Sequence, residues 1–205
     1  MTRHRTPLRA TALALAALLG AAVFAPSASA IARPDVLARA ERWIARKVPY
    51  SQQRYARLDG TLVATSTANP FRYGYRTDCS GFVSMCLGLR TTTGAPRSMT
   101  TANLDAALVP IAKDELIPGD VILRPNDLVL DGKPVAYGHA LIFAGWLDDD
   151  RTRYVGYHES GSGKGAVRSE ILYGPSGFWN EKGFSAYRSP LVRDRYLSAP
   201  ATATP

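Results

Sequence analysis

Two residue types in this 205-residue chain could supply a nucleophile or a base at neutral pH, and both are scarce. The cysteines are Cys79 and Cys86, and the histidines are His4, His139 and His158. Such a set permits a disulfide, a zinc site, or nucleophilic catalysis by a thiol with an imidazole as its base. Spacing and local context distinguish these three possibilities.

The two cysteines are seven residues apart in a segment whose apolar residues recur at helical spacing after Thr77 or Asp78, either of which can cap a helix. Two helical turns place the α-carbons of Cys79 and Cys86 roughly 10.5 Å apart, beyond the limit of about 7 Å for a disulfide. The same spacing disfavours a zinc site built from both cysteines and both later histidines. Cys86 is in phase with Phe82, so we expect it in the core.

Cys79 is expected in the first turn of this helix, where unpaired backbone N–H groups and the helix dipole favour an anion. This environment predicts a lowered thiol pKa and a nucleophilic thiolate. Its neighbours Asp78, Ser80 and Gly81 are polar or small, which is typical of a helix start that faces a cleft. The alternative for Cys79 is burial as a small apolar residue.

The two later histidines lie in apolar segments that we expect to pair as a β-hairpin. If the chain turns symmetrically after Asp148, His139 lies directly opposite His158 on one face of the sheet. A turn that is longer by one residue places Glu159 opposite His139 instead. The third member of a catalytic set is therefore His158, with Glu159 in reserve.

The elements that must position these residues follow from the hydrophobic pattern. Helices are predicted over 34–47 and 97–108, in addition to the helix that begins after Asp78. Residues 51–76 predict a long loop with one short hairpin. Strands are predicted over 121–123, 139–147, 154–159, 166–172 and 184–188. Helices followed by an antiparallel sheet define an α+β class, and one domain is expected over 31–197.

The first thirty residues predict export. Three arginines precede an apolar run from Ala10 to Ala25, and Ala28-Ser29-Ala30 forms an A-x-A cleavage site, as in a secretory signal peptide. The run is shorter than the roughly 20 apolar residues of a membrane span, so no membrane anchor is expected. We expect a secreted protein, extracellular or associated with the cell wall, that acts as a monomer.

The net charge of the chain after removal of the signal peptide gives little indication of a nucleic-acid partner. Removal of the signal peptide would lower the net charge from +8 to +5, and no cluster of basic residues with interleaved aromatic residues follows. Residues 198–205 are expected to form a disordered tail.

Several sequence blocks resemble, in chain order, the motifs of NlpC/P60 cysteine peptidases. The blocks are Thr77-Asp78-Cys79-Ser80-Gly81-Phe82-Val83, Leu116-Ile117-Pro118-Gly119-Asp120-Val121-Ile122, Gly138-His139-Ala140-Leu141-Ile142-Phe143-Ala144-Gly145 and Tyr157-His158. An upstream Val48-Pro49-Tyr50 is also similar to a Pro-Tyr element of that family. The likeness spans about 36–188, and its first block is the most specific.

The resemblance implies a papain-like α+β fold and hydrolysis of peptidoglycan stem peptides, commonly at the bond between D-glutamate and the following diamino acid. It implies that Cys79 attacks the carbonyl group, that His139 is the general base and then the general acid, and that His158 orients His139. Tyr50 and the backbone amide of Cys79 would stabilise the oxyanion.

The resemblance also implies that Asp78 and Ser80 line the site for the stem peptide. No cofactor and no metal are implied. Two segments, 51–77 and 124–137, are longer than in compact members of the family, and they could cover or reshape the cleft. Other hypotheses are an amidase or an amine acyltransferase with the same dyad, a non-catalytic wall-binding module, and a zinc site.

Overall fold

The computed structural model of the chain describes residues 30–130, 132–135, 137–173 and 183–194. The predicted signal peptide, except for Ala30, and the predicted tail at 198–205 lie outside the described residues. No helix within the four described ranges is long and apolar enough to cross a membrane.

The helices of the described part precede its main sheet. They are the α-helices α1 (Arg33–Ala45) and α2 (Cys79–Cys86), with short 3-10 helices at Pro70–Arg72, Leu104–Ala107 and Lys113–Glu115. In α1, Pro34 occupies the first turn, where a missing backbone N–H costs nothing. The buried face of α1 carries Val36, Ala40 and Trp43, and the Trp43 ring packs edge-on against Phe82 of α2 at 5.8 Å. The predicted first two helices are therefore confirmed.

The strands of the described residues are β1 (Ile31–Ala32), β2 (Ser51–Ala56), β3 (Tyr75–Thr77), β4 (Val109–Ile111), β5 (Val121–Arg124), β6 (Val129–Leu130), β7 (Lys133–Pro134), β8 (His139–Trp146), β9 (Arg153–Ser160), β10 (Gly165–Leu172), β11 (Ser185–Arg188) and β12 (Val192–Arg193). Six of them form the main sheet of the described part, all paired antiparallel in the order β10-β9-β8-β5-β11-β4. The architecture is a mixed α and β fold with a mostly antiparallel sheet.

Strand β8 is buried on both faces, as its continuous apolar run predicts. Ala140 and Ile142 belong to the core cluster on the helical side of the sheet. Leu141 and Phe143 belong to a second cluster on the opposite side. Because successive side chains of a strand alternate between faces, the start of β8 is fixed from both sides.

The helix predicted over 97–108 is wrong. Only Leu104–Ala107 is helical there, as a 3-10 turn. The side-chain oxygen of Asn103 accepts a hydrogen bond from the Thr100 backbone N–H at 2.8 Å. Such local bonds from Asn compete with the regular helical pattern, so the segment forms turns instead.

Each of the two long segments contains a pair of short strands. The predicted loop over 51–76 is spanned by pairing of β2 with β3, interrupted by a register shift between Ser51 and Tyr55. The segment 124–137 contains the small hairpin of β6 and β7. Both segments therefore begin and end close to the residues that the sequence singled out for chemistry.

The Pro118-Gly119 turn leads into β5. Asp120, the residue that follows it, connects α1 to β11 of the sheet. The carboxylate of Asp120 is fully buried and accepts hydrogen bonds from Arg33 of α1 and Arg188 of β11. It also accepts a hydrogen bond from the Ile117 backbone N–H at 3.0 Å. The aspartate of this block is thus a structural link between α1, β5 and β11.

Candidate active site

Cys79 is the first residue of α2, directly after the N-cap Asp78. The Asp78 backbone is extended, and its Oδ1 accepts a hydrogen bond from the Gly81 backbone N–H at 2.8 Å. This is a standard N-cap, so the predicted helix start is confirmed. A β-carbon at Gly81 would collide with the Arg76 carbonyl oxygen, which explains why the block requires glycine there.

Arg76 holds this helix start in place, and the sequence reasoning missed it. Its Nε donates to Asp78 Oδ2, and its Nη2 donates to Ser80 Oγ at 3.2 Å and to the Met99 carbonyl oxygen at 3.0 Å. Arg76 and Asp78 are two residues apart in extended backbone, so their side chains share a face. That spacing was the signal that could have identified Arg76.

His139 begins β8 and is hydrogen bonded to His158 of β9. His139 Nε2 and His158 Nδ1 are 3.1 Å apart, and the two rings meet edge-on with an interplanar angle of 83°. The other ring nitrogen of His158, Nε2, lies 3.0 Å from Ser169 Oγ on β10. Ser169 was missed as well, because the register of β9 and β10 was needed to place it beside His158.

Both registers predicted for the histidine hairpin are wrong. Ile142 pairs with Tyr157, and a register shift lies between Phe143 and Gly145. The turn is also longer than predicted, because the Asp148 side chain accepts hydrogen bonds from the backbone and the hydroxyl of Thr152. Continued along β8, the observed register makes the two histidines diagonal neighbours, which still share one face.

The six predicted site residues line one open cleft with a volume of about 830 Å³. They are Tyr50, Asp78, Cys79, Ser80, His139 and His158. The thiol also interacts with the backbone N–H of Ala140, the residue that follows His139. The helix start and the histidine strand therefore meet at Cys79. Segment 124–137 adds Asn126 and Tyr137 to the cleft wall.

The resting thiol is neutral, contrary to the sequence prediction of a lowered pKa. Burial and the nearby Asp78 carboxylate raise the pKa of Cys79 to about 11. The backbone N–H groups of Ala140 and Ser80 act in the opposite direction but do not compensate for burial. The helix start alone therefore does not determine the ionisation of this thiol.

The two imidazoles are also neutral. Burial lowers the pKa of His139 to about 3, and repulsion from a protonated His158 and from the Arg124 guanidinium acts in the same direction. Burial lowers the pKa of His158 to about 4. A neutral thiol and a neutral imidazole that line the same cleft are suited to transfer of the thiol proton to the imidazole.

Tyr50 stands at the edge of the same cleft as a protonated phenol. Burial and the proximity of Cys79 raise its pKa above the ordinary value, while a hydrogen bond with the Gln52 side chain lowers it. Gly161 lies against the Tyr50 ring, where an added β-carbon would be 3.7 Å from it. The phenol O–H is thus available as a hydrogen-bond donor at the thiol.

Glu159, the alternative to His158 as the third catalytic residue, lies on the opposite face of β9. It is fully buried, and neither carboxyl oxygen has a hydrogen-bond partner within the described residues. Burial and the Asp78 carboxylate raise the pKa of Glu159 to about 9. The hydrogen bond to His139 is made by His158 and not by this carboxyl group.

Cys86 is a core residue, and among the described residues the thiols form neither a disulfide nor part of a metal-binding cluster. Cys79 and Cys86 are both free, and Cys86 is fully buried in the main core cluster, as predicted. Among the described residues, no group of three or more His, Cys, Asp or Glu side chains could hold a metal ion.

Comparisons with known proteins add distant structural likeness only. No protein-family model matches the chain, and no curated protein matches it. One of the solved structures that it resembles is the peptidoglycan hydrolase RipB from Mycobacterium tuberculosis. The two chains are 18% identical over 77% of this chain and 68% of RipB, with a TM-score of 0.38. An overlap of this size establishes neither a common fold nor a common activity.

Proposed function

We propose that this chain is a secreted cysteine endopeptidase of the NlpC/P60 type, with a papain-like fold, that hydrolyses peptidoglycan stem peptides. One observation carries the proposal: Cys79, at the start of α2, shares a cleft with the hydrogen-bonded pair of His139 and His158. The substrate class comes from the resemblance of the sequence blocks, and the D-glutamyl bond to the diamino acid is the expected point of cleavage.

We assign to the two imidazoles the proton arrangement that leaves His139 with a free base nitrogen. In it His158 Nε2–H donates to Ser169 Oγ, and His158 Nδ1 accepts from His139 Nε2–H, which the two contact distances of 3.0 Å and 3.1 Å allow. His139 then carries no proton on Nδ1, and this nitrogen is the base. Because the pKa of Cys79 is about 11 and that of His139 about 3, the thiol keeps its proton until substrate is bound.

Acylation begins as Cys79 Sγ bonds to the scissile carbonyl carbon while His139 Nδ1 takes the thiol proton. The carbonyl oxygen becomes an oxyanion, which accepts hydrogen bonds from the Cys79 backbone N–H and the Tyr50 hydroxyl. When the carbon–nitrogen bond breaks, His139 returns the proton to the departing amine. The products of this step are a free amine and a thioester on Cys79.

Deacylation reverses these roles with water as the nucleophile. His139 Nδ1 removes a proton from water, and the water oxygen attacks the thioester carbonyl carbon. Collapse of the second tetrahedral intermediate expels Cys79, which regains a proton from His139. The released acid ends in a carboxylate, so one peptide bond and one water are consumed in each turnover.

The helix start supplies the binding groups near the thiol. Ser80 is held by Arg76, and Asp78 is held by both Arg76 and Gly81, so these side chains are oriented before substrate arrives. An oriented carboxylate and hydroxyl suit a peptide with N–H donors. We therefore assign Asp78, Ser80 and Tyr50 to binding of the stem peptide, as the resemblance implies.

The test is digestion of purified peptidoglycan fragments by wild type, Cys79→Ala and Cys86→Ala, read by mass spectrometry. We expect Cys79→Ala to lose at least about 10³-fold in rate, and Cys86→Ala, which removes the other thiol, to retain cleavage. Unchanged cleavage by Cys79→Ala would contradict the proposal. An amine adduct in the products would instead identify an acyltransferase, and release at the sugar–peptide amide an amidase.

A further inference from the structure

We propose that a wall of the cleft formed by Thr101, Asn126 and Tyr137 binds an uncharged carboxamide of the stem peptide and discriminates against the corresponding carboxylate. All three residues line the cleft with Cys79 and His139. Asn126 and Tyr137 belong to the segment 124–137, which is longer than in compact members of the family that the sequence resembles. The inference rests on the proposed function and names the substrate class of that same site.

The Tyr137 ring is held against a buried guanidinium. Arg124, the cross-strand partner of His139, places its guanidinium carbon 4.6 Å from the centroid of the Tyr137 ring and 4.9 Å from that of Phe184. Arg124 is only 4% exposed, whereas Tyr137 is 49% exposed. The ring is therefore fixed on one side by a cation–π contact and available to a planar group on the other.

Thr101 and Asn126 are packed closely against the residue that precedes His139. A β-carbon at Gly138 would collide with Thr101 Oγ1 and with the Asn126 backbone nitrogen. Thr101 Oγ1 donates a hydrogen bond to Asn126 Oδ1 at 3.1 Å. The polar part of the wall is thus built beside the catalytic strand before any substrate arrives.

The hydrogen-bonding capacity that remains on this wall matches a carboxamide. Asn126 Nδ2 has no partner among the described residues, so its N–H groups can donate to a carbonyl oxygen. The Thr101 oxygen has used its proton and retains lone pairs, which can accept from an –NH₂ group. A carboxamide supplies both the acceptor and the donor, while a carboxylate offers acceptors alone.

The charges around the cleft also favour a carboxamide over a carboxylate. Arg76, the cation that lines the cleft, is paired with Asp78. His139 and His158 are neutral, because burial lowers the pKa of each. Arg124 lies behind two aromatic rings and does not line the cleft. A carboxylate at this wall would lose its hydration without meeting an unpaired cation, which makes its burial costly.

The test uses synthetic stem peptides in matched pairs, identical except that one carboxyl group is a carboxylate or a carboxamide. One pair varies the glutamyl residue before the scissile bond, and the other varies the diamino acid after it. For wild type we expect kcat/KM to favour the carboxamide roughly tenfold or more in at least one pair. Asn126→Ala and Tyr137→Ala should reduce that ratio towards one, and Asn126→Lys should reverse it.

Two control variants separate recognition from folding. Tyr137→Phe keeps the ring and should keep the ratio, and Val129→Ala changes an exposed residue of the same segment that does not line the cleft. Thermal unfolding of each variant confirms that it is folded. Wild-type cleavage without a preference in either pair overturns this inference alone, as does a preference that both Ala variants retain. Absence of all cleavage by wild type overturns the proposed function and this inference together.

Discussion

His139 and His158 meet on a diagonal of the hairpin, with Nε2 of the first 3.1 Å from Nδ1 of the second. Each ring reaches the other by its edge, and the second nitrogen of His158 is directed to Ser169 at 3.0 Å. The orientation of His139 therefore depends on a chain of two contacts from three adjacent strands.

Replacement of His158 should lower kcat far more than it changes KM. We expect His158→Ala to lose roughly 10- to 100-fold in kcat, because His139 loses the group that fixes its ring and its tautomer. His158→Asn should recover part of the loss, since an amide oxygen can still accept from His139 Nε2–H. Ser169→Ala, one contact further away, should cost less than tenfold. Steady-state kinetics on one defined stem peptide measures all three.

A uniform rise in KM for these variants, with kcat unchanged, would assign His158 to substrate binding instead. Thermal unfolding of each variant distinguishes a lost contact from a lost fold. The comparison of Ala with Asn is the decisive one, because both remove the imidazole and only Asn restores an acceptor.

The thiol should react slowly with alkylating agents at neutral pH. With a pKa of about 11, only roughly one Cys79 in ten thousand is a thiolate at pH 7. Alkylation by iodoacetamide should therefore rise about tenfold per pH unit between pH 7 and 10 without a plateau. Cys86→Ala provides a background in which Cys79 is the one thiol of the chain. A plateau of fast reaction below pH 8 would show a preformed thiolate and imidazolium pair.

The parts of the site that depend on local sequence were predictable. The cap at Asp78, the start of α2 at Cys79 and the buried strand that begins with His139 follow from residue types a few positions apart. These features fix which residues meet. They do not determine the protonation states of these residues or the register of the strands that carry them.

The parts that failed depend on contacts made by distant segments or by a single side chain. Burial of Cys79 between α2 and β8 reverses the pKa shift that the helix start predicts. The Asp148 side chain lengthens the hairpin turn through Thr152, which no apolar pattern reveals. The spacing of Arg76 and Asp78 indicates that these two side chains share a face, but the hydrogen bonds of Arg76 to Ser80 and Met99 depend on the folded chain.

Asp120 should be one of the most stabilising polar residues of the protein. Its carboxylate is fully buried and is paired with Arg33 at 3.0 Å and with Arg188 at 2.7 Å. Removing one partner of a buried ion pair costs about 3–5 kcal/mol, because the remaining charges lose their counterion. We expect Asp120→Asn to lower the free energy of unfolding by that order, measured by urea denaturation.

The matched control is Asp194→Asn, which removes the other carboxylate that binds Arg33. The Asp194 side chain is 48% exposed, so its loss should cost less than about 1 kcal/mol. Equal effects of the two substitutions would mean that the Asp120 cluster does not tie α1, β5 and β11 together.

Glu159 should destabilise the fold as the pH rises. Its pKa is about 9 in the folded protein, compared with the ordinary value of 4.5 that applies to the unfolded chain. Between these pH values the folded chain therefore holds a proton that the unfolded chain releases. The stability that this protonation provides is complete below about pH 4.5 and is lost progressively as the pH approaches 9, at about 1.4 kcal/mol per pH unit. Glu159→Gln keeps the shape of the neutral form but cannot ionise.

The two proteins should therefore unfold at the same temperature near pH 4.5, and the Gln variant should be the more stable at pH 8. His139 and His158 bind protons in this range in the unfolded chain only, because burial lowers their pKa values to about 3 and 4 in the folded protein. This effect is common to both proteins and cancels in the difference. Glu170→Gln, on an exposed position of β10, should show no such divergence. Parallel unfolding curves for Glu159→Gln and wild type from pH 4.5 to 8 would show that Glu159 is ionised or solvated in the folded protein. In that case the Glu159 carboxylate would be a second negative charge near Asp78, and it would add to the effect of Asp78 in raising the pKa of Cys79.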